Sequence, residues 1–127
     1  MAGPRIFTSF AIEDISLRDL FIGQSRNSRT NFELTDYAVK KPWENSWKTQ
    51  CRTRIKSCRG VVGIVTPNSR AADGQLWELK CAYEELVPTM LIYGNEAAKT
   101  VTYPAPISGR RINLWNWTNI EKFIEGL

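Results

Sequence analysis

Histidine is absent from the 127 residues. Its absence excludes Ser-His-Asp and Cys-His catalysis, histidine-ligated zinc and any imidazole general base. Cysteine is scarce. Cys51, Cys58 and Cys81 are too few and too scattered for a CxxC zinc site, and their odd number argues against a secreted disulfide framework. They are expected to be reduced and to carry no metal. No apolar run approaches the roughly 20 residues a membrane span needs. Residues 1–5 lack the basic and apolar regions of a signal peptide. The expectation is a cytoplasmic protein with no membrane partner. There is no GxGxxG after the first strand and no P-loop, so the familiar nucleotide-phosphate fingerprints are missing. A receiver-type phosphotransfer site would want an Asp ending the third strand, where this chain has Thr66-Pro67. Internal repeats, low-complexity tracts and linkers are also missing, which suggests a single domain over residues 1–127.

The charge excess is mild. Seventeen Lys and Arg stand against 13 Asp and Glu, a net +4. The basic residues from Arg26 to Arg59 are spread along the chain rather than gathered into the stripe of a nucleic-acid-binding domain. An ordinary solvated surface is the expected reading, and nucleic acid is not an expected partner. Hydrophobic residues at 43% and charged residues at 24% are ordinary for a globular domain.

Periodicity gives the element order. Residues 4–10 are β-prone, and Ile15, Leu17, Leu20 and Phe21 recur at near-helical spacing behind a candidate cap, Asp14. Gly23 and residues 24–31 read as a turn, and residues 32–39 as a second strand. Trp43, Trp47, Cys51, Ile55 and Cys58 have helical spacing. Val61 to Thr66 is a continuous β-branched run, as in a parallel strand covered on both faces. Leu76, Leu79, Tyr83 and Leu86 are expected to form the buried stripe of the next helix, stopped by Pro88. Residues 89–93 form a further buried strand, and an irregular stretch runs to about Asn113. Ile120, Phe123 and Ile124 suggest a short final helix capped by Thr118 or Asn119. This alternation predicts an α/β, flavodoxin-like, three-layer fold with a central, mostly parallel sheet of four or so strands. Ligands in such sheets bind outside the carboxyl ends of the strands, near the point where strand order reverses.

The segment GQLWELKCAYEEL, residues 74–86, carries the most chemical information. Trp77 projects away from the expected apolar stripe and Glu78 lies on its flank. A Trp beside a carboxylate on a helix suits a ligand pocket. The plainer alternative is that Trp77 packs under a loop and Glu78 is a solvated first-turn acid favoured by the helix dipole. On spacing alone the plainer reading is the expected one.

The string RIFTSF at residues 5–10, then SCRGVVGIVTPNS, then WELKCAYEELVPTMLIYGN and the ending RRINLWNWTNIEKFI together resemble the TIR-like family. The nearest subgroup is the small prokaryotic TIR-like domains that include the Thoeris antiviral signalling enzyme. The resemblance runs over nearly the whole chain, and its most specific part is the Trp-Glu helix. It implies cleavage of the nicotinamide N-glycosidic bond of NAD, with cyclisation to a cyclic ADP-ribose isomer, in bacterial antiphage defence. It makes Glu78 the catalytic carboxylate. Phe10 then lines the base pocket, Asp36 hydrogen-bonds ribose or orients its loop, Ser69 and Arg70 reach a pyrophosphate, and Trp77 flanks the substrate. Each has a plainer role beside this one: Phe10 as core, Asp36 as a strand-end cap, Arg70 as a loop cation. NAD is the substrate and no separate cofactor or metal is implied. Ala11-Ile12 and Tyr37-Ala38-Val39 depart from the family pattern, which bears on product and substrate geometry.

Three functions follow as expectations. The first is an NAD-cleaving cyclase whose product is sensed by a separate effector protein. The second is a non-catalytic TIR-like module that self-assembles into a homo-oligomer. The third is a nucleoside N-glycosidic transferase. The first requires Glu78 in an open cleft.

Overall fold

A computed structural model describes residues 3–28, 30–36 and 46–127. The elements are β1 (Arg5–Ser9), α1 (Ile15–Asn27), β2 (Glu33–Thr35), α2 (Ser46–Lys56), β3 (Gly60–Val65), α3 (Asp73–Glu84), β4 (Thr89–Tyr93), β5 (Ile112–Asn113) and α4 (Trp117–Glu125). Short 3₁₀ turns at Ile12–Asp14, Pro67–Arg70 and Glu96–Thr100 follow β1, β3 and β4. The strands form one parallel sheet in the order β2-β1-β3-β4-β5. This is the flavodoxin-like order, and strand order reverses between β1 and β3. The fifth strand, only two residues long, lies at the end of the stretch expected to be irregular.

Every residue of β3 is buried, as its unbroken apolar run requires of a central strand. Side chains alternate between two cores. Phe7, Val61, Val65 and Leu91 pack with Trp47, Cys51 and Ile55 of α2 and Leu79 and Ala82 of α3. Ile6, Phe10, Val62, Ile64 and Ile92 pack with Phe21 of α1 and Ile120 and Ile124 of α4. The result is three layers, with helices on both faces of the sheet. Gly63 stands opposite Ser9 in register, and a Cβ there would sit 2.8 Å from Leu91 Cδ2 and 3.0 Å from Leu79 Cδ2. Its bare backbone lets α3 settle close to the sheet.

The structure changes several local expectations. Residues 24–27 continue α1 rather than turning. Tertiary packing carries that last turn: Phe21 meets Trp115 and Trp117 edge-to-face at 6.1 and 5.9 Å, and Trp115 Nε1 donates to Gln24 Oε1 at 2.9 Å. Asp14 makes no side-chain cap for α1. The cap of α4 is Asn116, whose Oδ1 accepts from Asn119 N at 2.8 Å, and not Thr118 or Asn119. The expected helical residue Trp43 and strand residue Val39 lie outside the described residues.

The buried stripe of α3 is Gln75, Glu78, Leu79, Cys81 and Ala82. Leu76 and Tyr83 are half-buried and Leu86 is 88% exposed, so the expected apolar stripe is rotated. Leu86 is not helical at all. The helix closes in a Schellman motif, with Val87 N donating to Ala82 O at 2.9 Å and Leu86 N to Tyr83 O at 3.2 Å. That closure puts Leu86 at φ 57°, a left-handed conformation its Cβ resists. Because the exposed side chain contributes little packing, Leu86→Gly is expected to stabilise the fold by about 1 kcal/mol. A urea melt in which the variant unfolds earlier than the parent would contradict this.

Candidate functional site at the carboxyl ends of β1 and β3

Ser9 is the last residue of β1 and points to the α2–α3 side of the sheet. Glu78 comes down onto it from the second turn of α3. Ser9 Oγ donates to Glu78 Oε1 at 2.9 Å, and Cys51 Sγ of α2 lies 3.8 Å from Glu78 Oε2. The Glu78 side chain is 1% exposed. The plainer sequence reading, a solvated first-turn acid, is therefore overturned. Burying a carboxyl group in a core of this kind is costly unless donors meet it.

One turn earlier, Gln75 bridges the point where strand order reverses. Its Nε2 donates to Ser9 O at 3.2 Å and to Ile64 O at 2.8 Å. Two carbonyl neighbours set the amide's orientation, since carbonyls only accept. Gln75 Oε1 is buried and has no hydrogen-bond partner. A cavity of about 290 Å³ lies beside it, walled by Ile12, Glu13, Trp47, Gln75 and the chain from Ala71 to Gly74. Glu78 is not part of that wall. The expectation that it faces an open cleft is not met: Trp47 and Gln75 line the cavity and the carboxyl sits inside the core.

The other residues singled out from sequence divide between the two faces of the sheet. Phe10 is fully buried in the α1–α4 core, on the opposite side from Glu78. The Arg18 guanidinium lies 5.5 Å from its ring centroid and donates through Nη1 to Asp36 Oδ2 at 2.8 Å. Arg18 therefore joins Phe10 to Asp36. Asp36 also receives a hydrogen bond on its carbonyl from Arg54 Nη1 at 2.6 Å. Ser69 is buried and completes a capping box with Thr66. Arg70 is exposed in the same turn. Trp77 is half-buried and packs edge-to-face on Trp47 at 5.3 Å, with the Arg52 guanidinium 5.5 Å from its ring centroid. It belongs to the outer α2–α3 seam. Tyr37 and Trp43 lie outside the described residues.

Sequence reasoning missed Ser9, Gln75 and Arg18, and it took Asp14 for a helix cap where the structure has a second buried acid. Asp14 accepts hydrogen bonds from Thr66 Oγ1 and, at 2.9 Å, from Asn68 Nδ2, tying the start of α1 to the turn after β3. Gln75, Glu78, Leu79 and Ala82 do have the i, i+3, i+4, i+7 spacing of a buried face. Two of the four are polar, so a search for apolar stripes passes over them.

The three cysteines are free and buried. Burial pushes the Cys58 and Cys81 thiols above their usual range. Among the described residues no three Cys, Asp or Glu side chains gather as a metal site would need, and no helix is long and apolar enough to cross a membrane.

The chain matches no family model and no curated protein.

Proposed function

We propose that the protein is a cytoplasmic TIR-like enzyme that cleaves the nicotinamide N-glycosidic bond of NAD, with Glu78 as its catalytic carboxylate. The observation that carries this reading is the buried Ser9–Glu78 pair at the carboxyl end of β1, one helical turn from the β1/β3 crevice. Open parallel sheets bind their ligands at such crevices. A carboxyl in this core is more than α3 needs in order to pack on β1, because apolar side chains would do that at lower cost. The resemblance of the RIFTSF and WELKCAYEEL segments to TIR-like enzymes adds the substrate.

The chemistry suits a chain without histidine. Nicotinamide leaves a pyridinium as a neutral base, so no strong general acid is needed. The ribose it leaves behind develops oxocarbenium-like positive charge. A fixed carboxylate attracts that charge mainly in the transition state, which is what lowers a barrier. Ser9 holds the carboxylate by its Oε1. With Glu78 1% exposed, substrate reaches it after the core around it opens, so turnover includes a gating step. Cyclisation of the ADP-ribosyl product and its detection by a separate effector complete the proposal.

A second reading, a non-catalytic self-assembling module, draws on the same burial: Glu78 is closed off and hydrogen-bonded, as a structural group would be. Incubation of the purified protein with NAD, with products separated and weighed by mass spectrometry, discriminates the two. Release of nicotinamide with ADP-ribose or a cyclic isomer is expected. Unchanged NAD at every protein concentration and assembly state would leave the module reading in its place.

A further inference from the structure

A groove of about 650 Å³ runs along the β5 edge of the sheet, between the end of α3 and the middle of α4. It reaches Thr89, the first residue of β4, and so lies toward the amino ends of the strands, away from Ser9 and Glu78. Three cations line it, Arg110, Arg111 and Lys122, and no Asp or Glu does. None of the three forms an ion pair among the described residues.

One of these cations is held in place. The Arg110 guanidinium lies 3.3 Å above the centre of the Tyr83 ring, and its Nε donates to Pro106 O at 2.9 Å. Stacking and one hydrogen bond set the plane of the guanidinium and leave its terminal amino groups to face a ligand. Burial raises the Tyr83 phenol above its usual range even though Arg110 pulls the other way, so the platform beneath the cation stays neutral. Asn113 and Asn119 stand on the same wall. Each spends its amide nitrogen on a backbone carbonyl, Leu91 O at 3.2 Å and Leu114 O at 3.1 Å. Their Oδ1 atoms are then oriented as acceptors.

We infer that this groove binds a small molecule carrying a phosphate next to hydroxyl groups, such as a sugar phosphate or mononucleotide. The three cations take the phosphate, with Arg110 pre-oriented for a bidentate contact. The two carboxamide oxygens accept from hydroxyls. The volume lies within the range of small-molecule sites. The inference does not depend on NAD cleavage or on Glu78.

Calorimetric titration with ribose 5-phosphate, AMP, inorganic phosphate and ribose tests it. Ribose 5-phosphate and AMP are expected to bind saturably, at least roughly tenfold tighter than inorganic phosphate, a ratio set by added hydroxyl contacts. Ribose alone should show no binding. Arg110→Gln and Arg111→Gln should each weaken AMP by roughly tenfold, the loss expected of one charge-assisted contact. Tyr83→Leu should weaken affinity as Arg110 loses its orientation, and more than Tyr83→Phe, which keeps the ring beneath the guanidinium. Amide NMR spectra of each variant verify that the fold is intact, and Arg110→Lys, which keeps charge without the planar fork, should also bind less tightly. The inference is overturned if neither phosphate ester binds at about 10 mM, the weak end of specific recognition. It is equally overturned if the arginine variants bind as the parent does, if inorganic phosphate binds as tightly as the esters, or if a single-stranded oligonucleotide binds here and AMP fails to displace it.

Discussion

Glu78→Gln is expected to leave the fold standing and remove most NAD turnover. Gln has nearly the volume of Glu, and its remaining carbonyl oxygen can still accept from Ser9 Oγ, now 2.9 Å from Glu78 Oε1. The amide nitrogen that replaces Oε2 turns a donor toward Cys51 Sγ, so the stability loss should be about 1–3 kcal/mol, short of unfolding the chain. Turnover should fall by about 10²–10³, the usual consequence of losing one well-placed electrostatic group. NAD affinity should fall much less, because the lost interaction acts mainly on charge that develops during bond cleavage. Single-turnover rates and equilibrium binding, measured on the same preparations, separate these two effects. A variant that turns NAD over at the parental rate would remove Glu78 from the mechanism even with the activity itself established.

Gln75→Glu should produce the largest loss of stability. The wild-type Nε2 supplies hydrogen bonds to two carbonyls, Ser9 O and Ile64 O. An ionised Glu has no donor, so it would set a carboxylate oxygen against two carbonyl oxygens in a site that is 1% exposed. Stranding a buried charge in this way costs about 3–5 kcal/mol. The group avoids part of that cost by remaining protonated and donating one O–H. Its carboxyl pKa in the folded protein is then raised above the unfolded value near 4.3. The folded state holds the proton over the window between those two values, so stability falls as pH rises through it. Acid partly rescues Gln75→Glu relative to the parent, and neutral pH does not. Gln75→Leu should be milder, at about 1–3 kcal/mol: it takes the donor from both carbonyls, but it buries no charge and removes the unpartnered Oε1. Urea midpoints across the acid range measure both variants. A flat pH dependence for Gln75→Glu, or a loss no greater than that of Gln75→Leu, would contradict the bridging geometry.

Glu78 lies in a closed, buried site. Trp47 packs on Trp77, Gln75 spans the carbonyls of Ser9 and Ile64, and Glu78, one helical turn on, is buried against Ser9. A group at the end of β1 can be both held rigid and kept dry in this way, and dryness strengthens any electrostatic effect it exerts.

Local sequence was enough for the layered fold. Six consecutive buried residues in β3 and the apolar run of β4 have few alternatives to central parallel strands. Helical spacing of Trp47, Cys51 and Ile55 placed their common face, since each contacts the sheet through its own apolar surface. The Trp-Glu pair stood out for the same local reason, a carboxylate and an indole off the apolar stripe. What local pattern does not contain is which polar residues a helix buries. The face of α3 turned inward holds Gln75 and Glu78 because the partners that satisfy them, Ser9, Ile64 and Cys51, come from three other elements. Only the packed chain brings those partners together, and Gly63 sets how closely α3 approaches them. Phe10 and Glu78 likewise share the carboxyl end of the sheet in sequence terms, yet strand alternation puts the side chains of Ser9 and Phe10 on opposite faces. Burial of an apolar side chain is a property of one residue and its period. Burial of a polar one depends on donors and acceptors supplied from elsewhere in the fold, and for that reason only the tertiary structure decided where Glu78, Gln75 and Asp14 lie.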